Sequence, residues 1–132
     1  MVDYIRSIDC SIFVCDYDYN TPSIEHLQNT HKRLYDRYRE VRKDVPIVFI
    51  SRPEAFCSIT ADKRAEIIRS TYESAITCGD KSVYFIDGRR FFPEEVKYRC
   101  QVDGIHPNDL GFYFMSEKIG NVIIEILNSQ NI

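Results

Sequence analysis

Three short runs, SIFVC (11–15), PIVFI (46–50) and SVYFI (82–86), are rich in β-branched and aromatic residues and carry no charge. Strands apolar at nearly every position are covered on both faces, as in a parallel sheet rather than an antiparallel one with a wet side. Between the runs lie helical patterns. Over 23–44, Ile24, Leu27, His31, Leu34, Tyr38 and Val41 recur at spacings of three and four, with Thr21-Pro22-Ser23 as a start signal. Over 60–78 the stripe is Ala61, Ala65, Ile68, Tyr72 and Ala75, with Thr60 as N-cap and Gly79 closing the helix. A last helix over about 110–127 carries Met115, Ile119, Val122 and Ile126, capped by Asn108. Strands and helices that alternate in this order predict an α/β fold with right-handed crossovers. No repeat or linker interrupts residues 1–132, so one domain is expected.

One connection breaks the short-loop rule. Residues 87–105 show no period, and a loop beyond about 12–15 residues in a small domain usually serves a site. The formal charge of -3, with Lys and Arg spread rather than blocked, gives no basic field, and nucleic acid is not an expected partner. The five cysteines are odd in number and lack C-x-x-C spacing, so neither a disulfide framework nor a zinc site is expected. No apolar run nears the ~18 residues of a membrane span, and MVDYIRSIDC has no signal-peptide core. As written, the chain is expected in the cytoplasm, unless an upstream segment directs its export.

In parallel sheets the working residues gather beyond the carboxyl ends of the strands. That rim collects Asp16, Asp18 and Asn20 after the first run, Ser51 and Arg52 after the second, and Asp87 with the loop to Asp103 and His106 after the third. Asp103-Gly104-Ile105-His106 sets a carboxylate three residues before an imidazole. A serine hydrolase needs an imidazole to take the nucleophile's proton and a carboxylate to fix its tautomer, so this is half of a triad. Read as structure alone, the same segment is a polar turn, with Pro107 and Asn108 opening a helix.

The segments IFVCDYDYNTP, PIVFISRP and VDGIHPNDLGFYFMSEKI together resemble the C-terminal part of the SGNH hydrolases, the GDSL-like lipase/esterase family. The resemblance implies a flavodoxin-like three-layer αβα sandwich with a parallel sheet, N-terminally truncated to about three strands. It implies that Asn20 matches the block whose amide donates to the oxyanion hole, that His106 is the general base and that Asp103 orients it. Gly111 matches a small residue that the family tends to carry. No G-x-S block and no Gly block precede Asn20, so the serine is expected to lie outside this chain, and the chain alone is expected to be inactive. Residues 1–10 then read as the end of the helix that precedes the first strand. The expected substrate is a small-molecule ester, either an acylated carbohydrate or a lipid-like acyl ester. No metal or organic cofactor is implied.

Ser51 is the best placed alternative nucleophile, though it lacks the glycines of a strained elbow. His31 reads as a core histidine with one satisfied nitrogen, and His26 as solvated. Asp16-Tyr17-Asp18-Tyr19-Asn20 opens like a calcium loop, but Thr21 and Leu27 stand where Gly and Glu are required. A second rival is a haloacid-dehalogenase-like phosphatase using Asp16 and Asp18, with Lys63 and Asp87 in support. A third is a non-catalytic flavodoxin-like interaction module. In the family's strand order, the run from Ser11 to Cys15 becomes an edge that was built as an interior strand, and its Ile12, Phe13 and Val14 lack edge protection. A homo-oligomer through that edge is expected. The two crossover helices should share one face, with the last helix and residues 1–10 on the other.

Overall fold

A computed structural model of the chain describes residues 2–5, 7–56 and 58–129. Strands β1 (Phe13–Cys15), β2 (Ile47–Ile50) and β3 (Val83–Ile86) form one parallel sheet in the order β1-β2-β3. Phe13 lies beside Ile47 and Ile47 beside Val83, so alternate rows point to opposite faces. Helices α1 (Val2–Ile5), α2 (Ile24–Arg39), α3 (Ile59–Thr77) and α4 (Asp109–Ser129) cover the sheet. Ile47 and Phe49 pack against Leu27, Leu34 and Tyr38 of α2 and Ile68 and Ala75 of α3. Val48 and Ile50 pack against Phe91, Phe92, Met115 and Ile126. The result is the expected three layers, with the sheet buried between two apolar clusters.

The sequence placed residues 1–10 on the face of the last helix, and the described ones do not lie there; positions 1 and 6 fall outside the described residues. Ile5 packs with the α2 and α3 cluster, and Asp3 meets Arg37 of α2 at 2.8 Å. The short α1 therefore adds to the face of the crossover helices, because α2 offers it both an apolar contact and a cation. The opposite face is closed by α4 and the long loop. That loop is anchored rather than free. Phe91, Phe92 and Cys100 are buried in the second cluster, and two short 3-10 turns, Gly88–Arg90 and Lys97–Arg99, carry the chain between them.

The helix ends show where side chains override periodicity. Ser23 caps α2, its hydroxyl accepting from the His26 N–H at 3.0 Å. The helix stops five residues before the expected end, and Val41 is exposed. The Arg39 guanidinium donates to the carbonyls of Arg42 at 2.9 Å and Val45 at 2.6 Å, which satisfies them outside a helix, and Pro46 disfavours helical backbone at Val45. For α3 the cap is Ser58, not Thr60; its hydroxyl accepts from the Ala61 N–H at 3.3 Å. Gly79, with φ of +89°, closes α3 in a Schellman turn, Asp80 N–H donating to Ala75 O and Gly79 N–H to Ile76 O. Asn108 caps α4 as expected, accepting from the Gly111 N–H at 3.1 Å. Cys10, Cys15, Cys78 and Cys100 are free thiols, and Cys57 lies outside the described residues.

His31 is fully buried between Phe49 and α3, with Nδ1 2.9 Å from the Thr71 hydroxyl and Nε2 without a hydrogen-bond partner. Desolvation holds its pKa down at about 4, against a small opposing pull from Asp18. The unfolded chain therefore takes up a proton in the window from pH 6.5 to 4 that the folded chain refuses. Stability rises with pH through that window and is lost as pH falls through it. The expected loss on acidification is about 3 kcal/mol, and His31→Leu should flatten it. Urea unfolding at pH 7 and pH 4.5 measures both, and equal pH dependence in the two proteins would refute the assignment.

Candidate active site

The carboxyl end of β1 runs into a 3-10 turn, Asp18–Asn20, that is pinned from below. The Asp18 carboxylate is fully buried. Its Oδ1 accepts from Arg64 Nε at 2.6 Å and its Oδ2 accepts from the Arg52 backbone N–H at 2.9 Å. Arg64 Nη2 also donates to Asp18 O at 2.6 Å, to Thr21 O at 3.0 Å and to the Thr21 hydroxyl. One guanidinium from α3 thus fixes both ends of the turn, using its forked geometry. Asn20, the last residue of the turn, is exposed. It borders a groove of about 530 Å³ along the outer side of β1, lined also by Val14, Asp16 and His26.

The second half of the site sits on the tip of a narrow loop. Gln101 and Pro107 form an isolated antiparallel bridge, and Val102 N–H donates to His106 O at 2.9 Å. Gly104 makes the reversal with φ of +80°, a conformation that disfavours any side chain. Across this tip, Asp103 Oδ1 accepts from the backbone N–H groups of His106 at 2.8 Å and Ile105 at 3.0 Å. Asp103 Oδ2 lies 2.7 Å from His106 Nδ1. The His106 N–H, the ring hydrogen bond and the Ile105 N–H hold the Asp103 carboxyl well below the usual carboxylate range. An ionised Asp103 selects the tautomer with the proton on Nδ1, and this leaves the Nε2 lone pair free. His106 is 75% exposed, so that lone pair is accessible. Immediately after the loop, Gly111 lets α4 approach Cys100. A Cβ there would lie 2.2 Å from the Cys100 carbonyl oxygen.

Asn20 and His106 share the rim of the sheet. The Tyr19 hydroxyl, beside Asn20, lies 2.9 Å from Ile105 O, beside His106, and 3.0 Å from Pro53 O after β2. Exits from all three strands therefore meet at one phenol. Ser51 does not join them as a nucleophile. It is 1% exposed, and its hydroxyl accepts from the Gly88 N–H at 2.9 Å. A Cβ on Gly88 would lie 2.0 Å from Ser51 O, so the two strand ends are in direct backbone contact. The phosphatase reading of Asp16 and Asp18 also fails, because Asp18 is buried and ion-paired with Arg64 and cannot reach phosphorus or a solvated metal. Among the described residues no group of three or more His, Cys, Asp or Glu side chains could hold a metal ion. No described helix is long and apolar enough to cross a membrane.

Arg64, Tyr19 and Gln101 escaped the sequence reading. For Arg64 a signal existed, since it falls between Ala61, Ala65 and Ile68 on the buried stripe of α3, where a cation needs a buried partner. Removing that cation leaves Asp18 buried and unpaired. Arg64→Met should cost roughly 3–5 kcal/mol, and the double variant Asp18→Asn with Arg64→Met should recover part of it. Chemical denaturation checks both, and a loss below about 1 kcal/mol for Arg64→Met would mean that the pair does not hold the turn.

The model of the GDSL-like lipase/acylhydrolase family matches residues 1–124. A crystal structure from Bacteroides ovatus ATCC 8483, described as a GDSL-like lipase, superposes with a TM-score of 0.82 at 26% identity, over 96% of this chain and 39% of that one. The salicylyl-acyltransferase SsfX3 of a tetracycline biosynthetic pathway shares the fold, with a TM-score of 0.70 at 18% identity, over 88% of this chain and 38% of that one. This chain thus spans less than two fifths of the length of either solved structure. No curated protein sequence matches it significantly. With a parallel three-strand sheet under helices on both faces, and a family match along nearly all of its length, the chain belongs to the GDSL-like lipase/acylhydrolase family.

Proposed function

We propose that these residues form the base and oxyanion half of an ester hydrolase, completed by a serine from outside this chain. The observation that carries the reading is the 2.7 Å contact between Asp103 and His106 Nδ1, with Nε2 left open to solvent. In the complete site His106 Nε2 takes the proton of the serine hydroxyl as its oxygen attacks the acyl carbonyl. Asp103 stabilises the imidazolium, and the Asn20 amide donates to the oxyanion. The tetrahedral species collapses as His106 returns the proton to the departing alkoxide. Water then attacks the acyl-serine by the same proton path, releasing the acid and restoring the serine. The substrate class is a small acyl ester, with acylated carbohydrates and lipid-like acyl esters as the two groups to assay.

The decisive experiment expresses the chain together with the coding sequence that adjoins it and measures hydrolysis of short-chain p-nitrophenyl esters. Turnover should depend on a serine in a G-x-S segment and fall roughly 10³–10⁴-fold in His106→Ala and in Asp103→Asn. The 132 residues alone should show negligible turnover, unchanged by Ser51→Ala. Turnover that survives His106→Ala, or an adjoining sequence without such a serine, would leave the chain as a non-catalytic interaction module.

The reading also predicts association. β1 is an edge of the sheet, and Phe13, Val14 and Cys15 carry no charge or proline to blunt it. The isolated chain should pair with a second copy through this edge, since apolar area withdrawn from water contributes ~25 cal/mol per Å². Sedimentation as a monomer at tens of micromolar, about the range of weak contacts, would refute this.

A further inference from the structure

The loop that carries Asp103 and His106 is not held by burial. Val102 is 76% exposed, Ile105 and His106 are also exposed, and the tip offers the core no apolar anchor. Its conformation therefore rests on polar ties: the Asp103 and Val102 bonds shape the tip from within, and the side-chain donors that reach it from the rim and from its own base, among the described residues, converge on one acceptor. The Ile105 carbonyl, adjacent to His106, receives the Tyr19 hydroxyl at 2.9 Å and Gln101 Nε2 at 2.9 Å. A carbonyl has two lone pairs, so both donors can be served at once. The one proton of the Tyr19 hydroxyl is shared with Pro53 O at 3.0 Å, Gln101 Nε2 lies 3.5 Å from the same oxygen, and Gln101 Oε1 accepts from the Ala55 N–H at 3.3 Å. Gln101 thus ties the base of the loop to the exit of β2. Tyr19 makes the remaining link, to the turn that carries Asn20.

Tyr19 is itself firmly placed. Its turn is fixed by Asp18 and Arg64, and the Arg52 guanidinium lies 5.5 Å from the centre of its ring while pairing with Glu54 at 2.9 Å. Burial, the largest influence, pushes its phenol up to about 12, so the hydroxyl keeps its proton and stays a donor. We propose that Tyr19 is a positioning residue whose hydroxyl, shared between the Ile105 and Pro53 carbonyls, fixes the separation and orientation of Asn20 and His106. The inference rests on His106 as the base, and it assigns the coupling between base and oxyanion donor to a residue that touches neither substrate nor proton. One hydroxyl is enough because both partners sit beside short, stiff segments, and misplacement of about 1 Å at a reacting group costs roughly a hundredfold in rate.

The test is Tyr19→Phe, which removes the donor and keeps the ring under Arg52. In the unaltered chain, nitrogen NMR of the neutral ring should show His106 protonated at Nδ1. In Tyr19→Phe the loop loosens, the signal should move toward the Nε2-protonated form, and the amide protons of Ile105 and His106 should exchange several-fold faster. Tyr35→Phe is the control. Its hydroxyl donates to Asp80 at 2.8 Å, away from the His106 loop, so its loss should lower stability without moving His106. If Tyr19→Phe does not fold, Gln101→Met removes the other donor to the same carbonyl and should shift His106 in the same direction. In the protein with its nucleophile present, Tyr19→Phe should lower kcat roughly tenfold and leave KM within about twofold. His106 signals unchanged in Tyr19→Phe, equal changes in Tyr35→Phe, or a shifted tautomer with unchanged kcat would each overturn the proposal. Turnover that survives His106→Ala would instead refute the hydrolase reading and leave the tautomer result to stand or fall by itself.

Discussion

The rim of this domain depends on one buried ion pair. Arg64 projects from an otherwise apolar stripe of α3 into the turn after β1, and Asp18 meets it with a carboxylate that has no access to water. Two charges withdrawn from solvent are costly unless their donors and acceptors find partners, and here Arg64 Nε and Nη2 and both Asp18 carboxylate oxygens do. Asp18 binds Arg64 and the Arg52 backbone, while Arg64 also binds the Asp18 and Thr21 carbonyls and the Thr21 hydroxyl. Such a network specifies geometry more than it adds stability. It forces the chain to leave β1 in a tight turn and lifts Tyr19 and Asn20 onto the rim.

A second polar clasp secures the opposite end of the sheet. Arg39 pairs with Asp80 at 2.7 Å and donates to the carbonyls of Arg42, Val45 and Ser82, tying the approaches to β2 and β3 together. Tyr35 and the Ser82 N–H complete the Asp80 shell at 2.8 Å each. Between the two clasps the sheet is held by its own backbone ladder and by apolar packing on both faces. The division follows the requirements of each region. Packing tolerates small shifts, whereas a rim with the proposed role of setting a base against an oxyanion donor needs directional bonds, and hydrogen bonds supply direction.

The long loop 87–105 shows how an irregular segment becomes part of a rigid site. Its first part is drawn into the core by Phe91 and Phe92, and its last part by Cys100 and the approach of Gly111. Residues 102–106 stand clear at its end, and they carry the hydrogen-bonded Asp103 and His106. Exposure there is compatible with chemistry because the Asp103 carboxylate is bonded to the backbone of a tip that the Ile105 carbonyl ties to the rim.

Much of this was written into the sequence by local rules. Charge-free β-branched runs, helical spacings and a carboxylate three residues before an imidazole depend on neighbours within a few positions, and the parallel sheet, the core-facing stripes and the Asp103–His106 bond followed from them, while the strand order came from the family resemblance. The Asn108 cap and the Gly79 turn are equally local, and both formed where expected. What tertiary structure decided were the contacts between residues far apart in the chain. Asp18 with Arg64, Tyr19 with Ile105, Arg39 with Ser82, Ser51 with Gly88, and α1 against α2 rather than the far face were such decisions. A buried polar group must find a partner, but its own sequence neighbourhood does not say which one. That choice is made only when the strands and helices have packed and the directions of their side chains are fixed.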